Sequence, residues 1–171
     1  MTAETDIAAI ADSGDNTPGD VRTALTSVLG RADVFADAST DWTTWTPSYS
    51  NLTIGNGTVV ARYTNINGTV TAYFLFTLGS TSAVGSGPTV SLPVNRSASY
   101  GTNTMLWGPA YLKAAGTQYV GVVRSPSAST AGLLTHTVSG SDTVIGAISA
   151  TAPGTWTTSD VIGFQITYEA A

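Results

Sequence analysis

One histidine, His136, is the side chain best suited to move protons near neutral pH, and the residues it would need for catalysis are few. It sits in GLLTHTVSG, where alternation puts Leu134, His136 and Val138 on one face and Leu133, Thr135 and Thr137 on the other. A Ser-His-Asp arrangement would draw on Asp142, but spacing alone does not define one, and no G-x-S-x-G nucleophile turn is present. A glycosidase needs two carboxyls at a set separation, and Asp142, Asp160 and Glu169 all fall near strand ends. With no cysteine and a single histidine, a zinc site lacks ligands, and no phosphate-binding G-x-x-x-x-G-K-[ST] loop occurs. A lone strand histidine is more often packed or solvated than catalytic. The reading is therefore of a non-enzyme, with no catalytic residue, cofactor or metal expected.

The elements that would position such residues are strands. From Trp42 to Val94 the chain alternates apolar and polar residues between turn signals. Thr58 to Tyr63 reads as one strand. After Asn65-Ile66-Asn67-Gly68, the next places Val70, Ala72, Phe74, Phe76 and Leu78 on one face and Thr69, Thr71, Tyr73, Leu75 and Thr77 on the other. Asn67-Gly68 tolerates the positive φ of a tight hairpin, which pairs the two strands directly. Tyr73 and Leu75 make the second face partly apolar, so it too should be covered, by another sheet or another subunit.

Further strands are expected at Thr104 to Trp107, Tyr111 to Lys113, Gln118 to Arg124, Gly132 to Val138, Thr143 to Ile148 and Val161 to Tyr168. Short strands with Gly, Ser, Pro and Asn between them and no intervening helix predict an all-β fold. The architecture expected is an antiparallel, jelly-roll-like β-sandwich over residues 42–171, preceded by a short helical segment within 1–41. The 130 residues from Trp42 suffice to bury roughly two-thirds of the unfolded surface.

The run W-x-x-W-T-P-S, then N-L-T-I-G-N-G-T-V-V-A-R-Y, then F-x-L-G-S-T-S-A-V-G-S-G-P-x-V-S-L-P-V resembles a β-domain of virion proteins from tailed phages of actinobacteria. These are tail-fibre-like, minor tail or head-decoration components. The resemblance covers Trp42 to about Val94 well and the remaining strands loosely. It rests on core, turn and strand residues, so it is specific for a domain family and weak for a function. It implies a virion structural role, with capsid or tail proteins as partners, and transfers no catalytic residue.

The first 41 residues differ in character. Eight acids (Glu4, Asp6, Asp12, Asp15, Asp20, Asp33, Asp37, Asp41) against Arg22 and Arg31 leave this segment at −6, whereas the rest of the chain carries +1. An acidic head on a nearly neutral body argues against nucleic acid as a partner, because phosphate contacts need a basic surface. Thr5 to Ala11 suits a turn of helix, with Ile7 and Ile10 on one side. Asn16 or Thr17 can cap a second helix with Pro18 early in it, and Val21, Ala24, Leu25, Val28 and Leu29 make a stripe at helical spacing that Gly30 ends. Such a helix is marginal alone and must bury its stripe. It does so on its own β-domain, by self-association around a threefold axis, or on a larger particle. Val21, Leu25, Val28 and Leu29, together with Tyr73 and Leu75, are the candidate contacts for a homotrimer or for the particle.

Only 10% of residues are charged, well below the usual quarter, and the exposed strand faces rely on Ser, Thr and Asn. That composition is common in proteins that assemble densely or sit outside cells. MTAETDIAAIAD has neither the basic start nor the apolar run of a signal peptide, and no stretch approaches the ~20 apolar residues of a membrane helix. Synthesis in the cytoplasm followed by display on a virion is the expectation, with no membrane insertion.

The four tryptophans and seven tyrosines fill the core or an interface, or stack on sugars. Trp42 and Trp45, at the start of the β-region, are read as packing residues. Tyr100 and Trp107, flanking the longer Arg96 to Gly108 segment, are the candidates for contact with a host-surface glycan, the alternative being a carbohydrate-binding module. The sequons at Asn51, Asn56, Asn67 and Asn95 are read as turn residues.

Overall fold

The computed structural model describes residues 42–101, 106–139 and 141–171. The expected helical segment, with Val21, Leu25, Val28 and Leu29, lies outside the described residues. Among the described residues ten strands form: β1 Thr43–Thr44, β2 Tyr49–Thr53, β3 Thr58–Ile66, β4 Thr69–Thr77, β5 Ala83–Ser91, β6 Leu106–Ala114, β7 Thr117–Ser127, β8 Thr130–Ser139, β9 Asp142–Ala147 and β10 Val161–Glu169. Every pairing is antiparallel, as expected, and no helix occurs among the described residues.

The strands follow one hydrogen-bonded path, β1-β3-β4-β10-β6-β7-β8-β5-β2, with β9 paired to β8 off this path. The sheet curls, so that inner faces far apart along the path meet. Tyr49 on β2 packs against Phe74 on β4 with ring centroids 6.3 Å apart, and Phe74 stacks on Phe164 of β10 at 5.0 Å. Val70, Ala72, Phe74 and Phe76 are fully buried and Leu78 nearly so, joined in one cluster by Leu112, Val123, Leu133, Ile162 and Ile166. The alternation read from β4 is the alternation observed. Burying a side chain such as Phe or Ile stabilises the fold by roughly 1.5–3 kcal/mol each.

Two turns set the register of the central strands. Asn67 (φ 50°) and Gly68 (φ 82°) join β3 to β4 as a two-residue loop closed by Ile66 opposite Thr69. Ala115 (φ 48°) and Gly116 (φ 80°) do the same between β6 and β7, with Ala114 opposite Thr117. An alanine disfavours this backbone, and here Asp160 compensates by accepting the Ala115 N–H at 2.9 Å. The two strands expected on either side of Gly108-Pro109 form a single strand, β6, whose register against β7 shifts between Leu106 and Gly108. A proline is tolerated there because the β10 ladder stops at the Phe164–Ala110 pair, one residue short of it. Gly108 is required in turn, since a Cβ would meet the Gln165 carbonyl oxygen at 2.5 Å.

Candidate functional site

The residues that could do acid–base chemistry are held apart. His136 is exposed on β8, opposite Ile145 of β9, whereas Asp142 pairs with Ser139. Alternation between positions 136 and 139 puts His136 and Asp142 on opposite faces of the sheet. Asp160 is buried and structural: it accepts from the Ala115 N–H at 2.9 Å, the Thr157 N–H at 2.6 Å and the Thr157 hydroxyl at 3.0 Å. Burial pushes its carboxyl up, but the N–H groups of Ala115, Thr157 and Gly116 and the Thr157 hydroxyl outweigh that and hold it below the usual carboxylate range. Glu169 accepts from the Tyr100 hydroxyl at 3.2 Å. No group of three or more His, Asp and Glu side chains fit to hold a metal occurs among the described residues.

Tyr100 and Trp107 belong to a knot around Arg96. This guanidinium is 2% exposed, and it donates to Ser125 Oγ and to the carbonyls of Ser97, Tyr100, Gly101 and Ser127. Its Cζ lies 5.9 Å from the centre of the Trp107 ring, which stacks on Tyr168 at 5.4 Å. Burial pushes the Tyr168 hydroxyl up to about 12, and that hydroxyl donates to the Val94 carbonyl at 2.8 Å. Trp107 therefore has one face on Tyr168 and a cation near the ring, and Tyr100 is bound to Glu169.

Tyr73 and Leu75 lie on the outer face of the sheet, and the register assembles their neighbours into rows. One row runs Val60–Leu75–Gly163–Tyr111–Val120, each directly opposite the next across β3, β4, β10, β6 and β7. The adjacent row begins Arg62–Tyr73–Gln165. Val60 (47%), Tyr111 (43%) and Val120 (68%) are among the few large apolar side chains left open to solvent. More polar rows flank this band: Thr58–Thr77–Val161–Lys113–Gln118 on one side and Thr64–Thr71–Thr167 on the other, where the Thr71 and Thr167 hydroxyls meet at 3.2 Å. An apolar centre with a hydroxyl rim has the anatomy of a protein interface.

Two hollows share the Tyr73 and Gln165 side of this face. The larger, about 400 Å³, is lined by Tyr73, Leu75, Pro109, Tyr111, Val120 and Gly163. The other, about 310 Å³, is lined by Trp42, Val60, Arg62, Tyr73 and Gln165. Tyr73 and Leu75 are brought together with residues the sequence reading did not single out as contacts: Trp42, Val60, Arg62, Val120, Gly163 and Gln165. A signal was present for Val120, because the stretch Tyr119-Val120-Gly121-Val122-Val123 is apolar on both faces. Comparison of the chain with protein-family models, with curated proteins and with solved structures finds no match.

Proposed function

We propose that this protein is a non-enzymatic structural component of a bacteriophage particle, a capsid decoration, head fibre or minor tail protein. Its acidic N-terminal segment attaches to the particle and its β-domain faces outward. The observation that carries this reading is the apolar band on the outer sheet face, which gives a small hydroxyl-coated domain a surface for contact with other copies. The Trp42–Val94 resemblance to phage virion β-domains supports the setting, and the meeting of inner faces across the curl supports a jelly-roll-like sandwich. Several displayed copies make weak surface contacts effective through avidity. A homotrimer remains the assembly proposed from the stripe at Val21, Leu25, Val28 and Leu29.

The test has two parts. Mass spectrometry of gradient-purified particles of a phage carrying this gene should find the chain at many copies per particle. Light scattering of the purified full-length protein should give an oligomer mass that falls for Leu75→Asp. A chain absent from the particles removes the virion reading. A mass unchanged by Leu75→Asp removes the sheet face as the contact.

A further inference from the structure

The hollow at the Trp42 edge differs in chemistry from its apolar neighbour. Two aromatic side chains line it, Trp42 (39% exposed) and Tyr73; Arg62 stands between them on the sheet, and Gln165 lies on the far side of Tyr73. Arg62 and Gln165 both lie opposite Tyr73, on β3 and β10, so these three are neighbours on one row. The Arg62 guanidinium carries five N–H donors, and among the described residues it uses Nη2 to hold the Trp42 carbonyl at 3.0 Å. That bond also fixes the backbone from which the indole projects. Among the described residues that line it there is no carboxylate.

We propose that this hollow is a binding site for an acidic sugar, a uronic acid or similar carboxylated residue of a surface polysaccharide. Flat apolar rings suit the hydrogen-lined faces of a pyranose, which lose little by leaving water there. Gln165 offers both a donor and an acceptor, matching sugar hydroxyls. Arg62 selects the charge, because its planar fork binds a carboxylate bidentately and more strongly than a neutral hydroxyl. At about 310 Å³ the hollow is at the lower limit of ligand pockets, sized for a terminal sugar and not for a long chain. Affinity at one such open site is millimolar, and repetition of the site on a particle raises it. This differs from the glycan contact expected at Tyr100 and Trp107. It does not depend on the virion reading, since the isolated protein carries the whole site.

The test is a titration of the full-length protein with glucuronic acid, and with glucose as the neutral control, followed by tryptophan fluorescence and by calorimetry. The expected result is saturable binding of glucuronic acid at millimolar concentration, at least tenfold tighter than glucose. Arg62→Gln should abolish that preference, and Trp42→Phe should remove the fluorescence change. Both positions are exposed, so both variants should keep the wild-type melting temperature within a few degrees. Absence of saturation with glucuronic acid overturns the proposal, as does a preference for glucuronic acid over glucose that is unchanged in Arg62→Gln. Equal binding of glucose and glucuronic acid overturns the acidic specificity assigned to Arg62. The lining shares Val60 and Tyr73 with the face proposed to meet other copies, so the titration is made at a concentration where light scattering gives the monomer mass, and failure to bind there is separate from failure of the virion reading.

Discussion

The two faces of β4 are built from similar residues and meet opposite fates. Phe74 and Phe76 point inward and are fully buried; Tyr73 and Leu75, interleaved with them, point outward and are only half covered. The inner face finds its partners within the chain, because the sheet curls and brings β2 across to β4. The outer face finds only its neighbours on the same sheet. Apolar content therefore tells which faces need cover, and topology tells which cover is supplied by the chain itself.

The largest expected effect tests this contrast at adjacent positions. Phe74→Ala should cost about 3–5 kcal/mol in chemical denaturation, since it empties a site between Tyr49 and Phe164. Leu75→Ala should cost about 1 kcal/mol or less at high dilution. The Leu75 penalty should grow with protein concentration if another copy covers it, because association stabilises by mass action. Equal penalties at all concentrations would mean the outer face is already packed.

The inner side also holds a charge. Arg96→Met keeps the apolar stem and removes the buried guanidinium that ties the carbonyls of Ser97, Tyr100, Gly101 and Ser127 to the Ser125 hydroxyl, and a cost of about 3 kcal/mol is expected from losing these charge-assisted hydrogen bonds together. Near-ultraviolet circular dichroism should change with it, because the Trp107–Tyr168 stack loses the cation beside it. An unaltered signal and stability would show that the knot is ornamental to the fold.

Asp160 comes next in size. Asp160→Ala removes the acceptor for the Ala115 N–H and for two groups of Thr157, and roughly 2 kcal/mol is expected at neutral pH. The carboxyl is held below its ordinary range in the folded state, so its contribution is fully present above the unfolded value of about 4. It is lost as pH falls through the lower folded value. The difference between wild type and variant should thus be flat from pH 8 to 5 and shrink in more acid solution. A difference that widened in acid would contradict a depressed carboxyl.

Much of this was legible in the chain. The β3–β4 hairpin follows from Asn67-Gly68, and the inward set of β4 follows from strict alternation, because both are local. Asn67 is readable as a turn residue and takes positive φ, 50°, whereas Asn51, read the same way, lies inside β2, where its φ of 54° accompanies the register shift against β5 between Ser50 and Leu52. What was not legible depends on register between strands distant in sequence. Leu75 lies opposite Gly163, and Gly163 opposite Tyr111, through ladders that no local pattern specifies. Arg96 reads as an ordinary surface cation, since nothing near it predicts carbonyls converging from Ser97 to Gly101 and from Ser127. Trp42 was read as a packing residue, and its place beside Arg62 and Tyr73 emerges only when β1 pairs with β3.

The smallest effect belongs to the residue with the most chemical promise. His136 lies exposed on the outer side of β8, one strand from Ile145 and on the opposite face from Asp142. A general base needs an orienting partner and a proton within hydrogen-bond reach, and this arrangement provides neither in Asp142. His136→Ala should therefore change stability by no more than about 0.5 kcal/mol, as for exposed positions in general. It should leave any measured hydrolysis of glycans or esters at the background of the wild-type preparation. Turnover that disappears with this one imidazole would make the outer face catalytic. The band from Val60 to Val120 would then be the wall of a substrate cleft, and the contrast between the faces would be one of function and not of missing cover.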